Sequence, residues 1–217
     1  TTFADALAVL RSHGLSARVP TRVSRFLQDG ARGLHPETLK RSSKSRARVI
    51  ASADRSLAQA ARLARQSGYH VLNLGSRVEG EAREVAQAQM REAELLSRRH
   101  GRVCLISGGE TTVRVRGRGQ GGRNQEFVLA ALLAGRAKGR FLVLSAGTDG
   151  RDGTTRAAGA WGDEHTLERA RKLGLSARGH LARNDSHRFF SRLGGLVVTG
   201  PTGTNVMDFR AILIDPA

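Results

Sequence analysis

Cysteine is almost missing from these 217 residues: Cys104 stands alone. That excludes an intrachain disulfide framework and a zinc site built from thiolates. Aromatic residues make up only 4%, and none lies in the basic stretch Lys40–Arg48 to stack on bases. No run approaches 18 apolar residues, which excludes an apolar membrane-spanning helix. The P-loop pattern G-x-x-x-x-G-K-[ST] does not occur, so a nucleotide here is not held in that way. The histidines, among them His165 and His187, lack metal-ligand spacing and read as solvated helix residues. The sequence starts Thr-Thr-Phe, without an initiator Met or signal peptide, which suggests a fragment or a processed chain.

Glycine and positive charge are what the chain has in plenty. There are 26 glycines against four prolines, and the net charge is +17. Hydrophobic residues at 39% and charged residues at 25% are those of an ordinary globular protein. A charge of this size makes nucleic acid the first partner to weigh. Its distribution argues otherwise, since residues 1–100 carry +9 and residues 101–217 carry +8. Only Lys40–Arg48 forms a basic run, read as an exposed connector. Arginine outnumbers lysine 32 to 4 throughout, a composition bias more than a nucleic-acid footprint. Such a field still draws anionic ligands.

Hydrophobic periodicity predicts helices over 2–13, with a capping-box start at Thr2 and Asp5, and from Pro20 to Gly30, with Val23, Phe26 and Leu27 buried. Strand–helix–strand alternation follows: Val49–Ala51, a helix over 54–67, then Val71–Leu74. The longest helix covers 79–99. Val103–Ile106, with Cys104 a core thiol, Phe141–Leu144, Leu196–Val198 and Ala211–Ile214 read as strands, and Thr111–Arg116 as a half-exposed one. Helices follow over 124–134, from an Asp163 cap to Leu173, and from Asn184 or Asp185 to Leu193. The fold class is therefore α/β: a mixed, mainly parallel sheet flanked by helices, with a short helical N-terminal segment.

Four polar, glycine-bearing loops carry the functional signal: 107–112, 117–126, 145–153 and 199–205. In open parallel sheets, ligands bind where such loops converge beyond the strand ends. Closely approaching backbone N–H groups suit an anion. Loop 117–126 holds G-x-G-x-x-G at Gly117, Gly119 and Gly122. However, an arginine-bearing strand precedes it, and no ribose-binding acid ends the next strand, which argues against a dinucleotide site. Arg123 and the helix N-terminus behind it are instead suited to a carboxylate or phosphate. Asp149 and Asp152 suit Mg²⁺ or a hydroxyl proton, or simply Asp-Gly turns. Glu110 reads as base, ligand or cap, and Asn184–Asp185 as a helix cap or a site contributor.

Five motifs bring a resemblance into view. They are Ser-Gly-Gly-Glu-Thr-Thr-Val (107–113), Gly-Gln-Gly-Gly-Arg-Asn-Gln-Glu-Phe (119–127), Ala-Gly-Thr-Asp-Gly-Arg-Asp-Gly (146–153), Asn-Asp-Ser (184–186) and Gly-Pro-Thr-Gly-Thr-Asn-Val (200–206). In this order they resemble the MOFRL domain of the type II glycerate kinases. Pro36–Lys40, Val49–Ser52 and Glu79–Ala82 resemble the end of that family's larger N-terminal domain. The resemblance implies domains at 1–98 and 99–217 and ATP-dependent phosphorylation of the 2-hydroxyl of D-glycerate, with Mg²⁺. It places Arg123 on the substrate carboxylate or the phosphoryl group, and Asp149 as metal ligand or proton acceptor, with Asp152 beside it. Glu110 joins the catalytic set, while Gly108, Gly109, Asn124, Thr204 and Asn205 line the substrate. The family's glycine-rich nucleotide loop and catalytic lysine have no counterpart here. The resemblance thus implies a partner in a missing N-terminal domain of the same protein, and weak or no activity for this chain alone. The absence of targeting signals and the implied substrate class point to a cytoplasmic protein, while the sequence itself disfavours a membrane or nucleic-acid partner; a homodimer stays open. Hydroxypyruvate reductase, a label attached to relatives, and a basic nucleic-acid-binding module are the alternatives.

Overall fold

Thr2 opens the first helix as its sequence predicts. Its hydroxyl accepts from the Asp5 amide at 3.0 Å, while the Asp5 carboxylate accepts from the Thr2 amide at 2.7 Å. The computed structural model describes residues 1–39, 46, 48–137 and 139–217, in two units, Thr1–Val49 and Ile50–Ala217. The first contains α1 (Phe3–Ser12) and α2 (Thr21–Ala31). Gly30 does not end α2 but lies within it, and its lack of a side chain makes room for the Phe3 ring, which a Cβ there would meet at 2.4 Å. The turn follows at Gly33, where φ is +81°. Val23 and Phe26, expected to be buried, stay about half exposed. The Phe26 ring stacks on His35 at 4.6 Å and meets Phe3 edge-on. Most of the basic connector Lys40–Arg48 falls outside the described residues.

The second unit runs α3 (Ala53–Gln66), β1 (His70–Asn73), β2 (Val78–Glu81), α4 (Ala82–His100), β3 (Val103–Thr112), α5 (Arg123–Ala134), β4 (Gly139–Gly147), β5 (Gly159–Asp163), α6 (Thr166–Lys172), α7 (Ala177–Ala182), α8 (Ser186–Leu193), β6 (Leu196–Val197) and β7 (Asp208–Pro216). Val49–Ala51 is not a strand; its apolar side chains are exposed and lead into the Ser52 cap of α3. The parallel crossover instead joins β1 to β3 through α4.

The sheet order is β1-β3-β7-β4-β5-β6, with β2 beside β3. The mixed α/β class is as expected, but the balance of pairings is not. Among the described residues only β1 and β2 pair parallel, both with β3, and the other four pairings are antiparallel. β3 and β4 do run in the same direction around α5, as a strand–helix–strand unit requires. β7 lies between them and pairs antiparallel with both.

Alternation along the central strands sends side chains to two cores. Leu105, Val143, Ile212 and Ile214 join Met90, Phe127, Leu129, Phe189 and Phe190 beneath the larger helical layer. Cys104, Ile106 and Ala211 pack with Ala61 of α3. Cys104 is thus the expected core thiol, and burial pushes its pKa up to about 11, which leaves it inert.

Two expectations near the site change. Ser107–Thr112 is not a loop but the continuation of β3, and the strand expected at Thr111–Arg116 ends at Thr112. The two glycines permit this by close packing. A Cβ at Gly109, where φ is +111°, would lie 2.3 Å from the Val78 carbonyl oxygen.

Candidate active site

The first turn of α5 anchors the site. Its N-cap, Gly122, offers no side chain, so the free amides need a partner from elsewhere. Asp152, on the β4–β5 connection, supplies it. One of its carboxylate oxygens accepts from the Asn124 backbone N–H at 3.0 Å and from Asn124 Nδ2 at 3.3 Å. The other accepts from the Gln125 backbone N–H at 2.9 Å and from Gln125 Nε2 at 2.8 Å. Burial pushes this carboxyl up, against the pull of those donors. With four donors on roughly four lone-pair positions, Asp152 caps a helix and does not fit a metal ligand. The helix N-terminus, expected to hold a ligand anion, already holds this one.

Asn124 ties three elements together. Its Nδ2 donates to Asp152 and, at 3.0 Å, to Asp208 on β7; its Oδ1 accepts from the Ser145 hydroxyl on β4 at 2.5 Å. Asp208 is the hub. Its carboxylate takes Arg123 side-on, from Nε at 2.7 Å and Nη2 at 3.0 Å, and Arg210 Nη2 at 3.0 Å. Arg210 is itself buried. It donates to the carbonyls of Gly108 and Gly109 and lies over the Phe127 ring at 5.6 Å. Desolvation lowers the Arg210 pKa while Asp208 opposes this. Asp208 also raises that of Arg123. Both guanidiniums stay charged.

Arg123 Nη1 points to Glu110 at 3.1 Å. Both residues line a cleft of about 620 Å³ with Thr111, Gly119, Gly122 and Thr154. The wall formed by 114–122 is fixed from beneath. Asn184, in a left-handed conformation with φ +54°, accepts from the amides of Arg116 and Gly117 and donates to the Arg114 carbonyl. It also donates to Glu126, which pairs with Arg83 at 2.7 Å. Asp185 accepts from the Gln120 amide. These two residues secure the wall, and neither side chain caps α8. His187, expected to be solvated, is half-buried with Nδ1 3.0 Å from Gln125 Oε1, whereas His165 is exposed.

The glycines of G-x-G-x-x-G serve the same packing. A Cβ at Gly117 would lie 2.3 Å from the Arg183 carbonyl oxygen, and one at Gly122 would lie 2.4 Å from Asp152. The spacing therefore reflects contact with protein, which accounts for the motif without a dinucleotide.

Of the residues singled out in the sequence, Arg123, Asn124, Glu110 and Asp152 come together. Gly108 and Gly109 lie in β3 with their carbonyls on Arg210. Asp149, Thr204 and Asn205 belong to an exposed pair of loops beside this cluster, where a Cβ at Gly147 would lie 3.1 Å from Asp149 Oδ1 and 3.7 Å from Asn124 Nδ2. There the Thr202 amide donates to the Asp149 carbonyl, and the Val206 amide to the Thr148 hydroxyl. Asp149 accepts locally from the Arg151 amide, and Asn205 from that of Met207. Among the described residues no group of three or more His, Cys, Asp or Glu could hold a metal ion. Asp208 and Arg210 were not legible as site residues. The signal that could have found them is the period-two alternation Asp208-Phe209-Arg210-Ala211, which continues the apolar strand backward.

Residues 103–208 match the MOFRL family. Over 217 residues the chain is 35% identical to the D-glycerate 2-kinase of Thermotoga maritima, spanning 98% of this chain and 50% of that protein. The chain belongs to the glycerate kinase family. The crystal structure of a glycerate kinase from Thermotoga maritima matches it with a TM-score of 0.83 at 35% identity, over 99% of this chain and 50% of that one. An Agrobacterium vitis relative, named provisionally as a hydroxypyruvate reductase, is 37% identical over 99% of this chain and 49% of its own length. The chain thus spans about half the length of these family members. None of its described helices is long and apolar enough to cross a membrane.

Proposed function

We propose that this chain is part of a glycerate 2-kinase that transfers a phosphoryl group from ATP to the 2-hydroxyl of D-glycerate, giving 2-phosphoglycerate. The observation that carries this reading is the setting of Arg123. Its Nε edge is locked by a buried carboxylate, while the guanidinium borders an open cleft. A fixed cation at a cleft suits the carboxylate of a hydroxy acid or the charge that builds on a transferring phosphoryl group. The likeness to the Thermotoga D-glycerate 2-kinase supports the same substrate class.

In this proposal Arg123 contacts the anion, and Asn124 and Asp208 position it. Gly108 and Gly109 contribute through Arg210. Asp149, with one carboxylate oxygen engaged locally, accepts the hydroxyl proton from the second loop cluster, where Thr204 and Asn205 line the substrate. Asp152 has its lone pairs taken by the first turn of α5, so in this reading a magnesium ion would be met by the Asp149 carboxylate. Residues 1–98 are read as the end of the family's N-terminal domain and 99–217 as the MOFRL domain, with the nucleotide held largely by sequence that precedes this chain. A small hydroxy acid and a nucleotide as substrates suit a cytoplasmic enzyme.

The test is ATP-dependent formation of 2-phosphoglycerate by the whole protein. Arg123→Ala should lower kcat/KM by about 10²–10³-fold with the far-UV circular dichroism unchanged. Undiminished turnover in that variant would overturn the site. Oxidation of NADH with hydroxypyruvate, without ATP-dependent product, would put a reductase in its place.

A further inference from the structure

One guanidinium, that of Arg123, is held by two carboxylates of opposite character. The Asp208 side chain is 0% exposed and takes two of the Arg123 N–H groups, besides one from Asn124 and one from Arg210. It cannot leave without stranding Arg210 in the protein interior. The Glu110 side chain is 61% exposed and touches Arg123 at a single Nη1 contact. It makes no other hydrogen bond or ion pair among the described residues. The Glu110 backbone is fixed in β3, in register with Glu79 of β2, so only a side-chain rotation separates the paired and unpaired forms.

We propose that Glu110 is a built-in stand-in for the ligand: it occupies the cleft-facing edge of Arg123 and is displaced by an incoming oxyanion, a carboxylate or a phosphoryl group. The proposal rests on the reading of Arg123 as the anion contact and adds to it a competitor that every ligand must displace. An oxyanion replaces Glu110 at no loss of charge balance on the guanidinium. An uncharged polyol of the same shape would break an ion pair and return none. The charge of Arg123 sets the preference for hydroxy acids and phosphorylated ligands over neutral alcohols, while Glu110 makes each anion bind more weakly than the bare Arg123 would allow.

The test is titration of the protein with inorganic phosphate, D-glycerate and glycerol, followed by the backbone amide shifts of Gly119–Arg123. It compares the wild type with Glu110→Gln, Glu110→Ala and Arg123→Ala. Removing an exposed competing carboxylate should tighten phosphate and glycerate binding by about two- to five-fold, in both Glu110 variants and without glycerol binding. Tightening for phosphate alone would assign the edge to the phosphoryl group, and for glycerate alone to the carboxylate. Unchanged or weaker binding in the Glu110 variants, with Arg123→Ala still losing it, would overturn the stand-in and leave the Arg123 reading intact. Wild-type affinity in Arg123→Ala, or no binding in any of the four proteins, would overturn both.

Discussion

Asp149 and Asp152 lie three positions apart on one connection, yet they belong to different kinds of structure. Asp152 is buried and accepts four N–H donors, as Asp208 does on the neighbouring strand. Asp149 is exposed and accepts one, from its own turn. The saturated carboxylates have no lone pair left for a substrate or a cation, so their work is to set the direction of Arg123 and Asn124. The unsaturated ones on the rim, Asp149 and Glu110, are those free to exchange partners. In the proposed function, chemistry and architecture are separated by solvent access, with acidic residues on both sides.

The sharpest way to break this contrast is Asp208→Ala. Removing it leaves two arginines around an empty, buried position and should destabilise the second unit by about 3–5 kcal/mol, read by urea unfolding. A loss below about 1 kcal/mol would mean that the buried ring does not hold the site.

Asp163, at the end of β5, sits between the extremes. Burial raises its pKa, but hydrogen bonds from Arg169 and Thr166 outweigh that and hold it below the usual carboxylate range. A carboxylate depressed in the folded state contributes stability that is complete above its unfolded pKa and is lost as the pH falls through the folded one. The stability gap between wild type and Asp163→Asn should therefore be constant above about pH 5 and close below about pH 4. A gap that ignores pH would remove the ion pair with Arg169 from the account. The smallest effect belongs to the rim: Asn205→Ala should shift unfolding by no more than about 0.5 kcal/mol while weakening D-glycerate binding. A large stability loss there would erase the distinction between rim and ring.

Local signals carried the reading of the sequence wherever the structure is local. The Thr2–Asp5 capping box, the long helix before Gly101 and the alternation of β3 with α5 and β4 need only neighbours in the chain. β5 escaped because Gly-Ala-Trp-Gly-Asp has little intrinsic strand preference and is extended by its pairing with β4. Arg123 and Asn124 were legible because they open a helix after a glycine run. Asp208 and Arg210 were not, since charges inside a central strand are tolerated only through partners such as Arg123, 85 residues away. Glycine was the misleading signal: at 108–109, 117 and 122 it marks crowding between backbones where a loop at a ligand is the commoner reading.

β7 is the last strand in sequence, but it lies between β3 and β4, in the middle of the sheet. Until residues 208–216 are in place, β1-β2-β3 and β4-β5-β6 are two separate ribbons with bare inner edges. The residue that orients Arg123 is the first of that strand. The pairing that joins the ribbons and the carboxylate that aligns Arg123 thus come from one strand, so a sheet without β7 is also one without an aligned arginine.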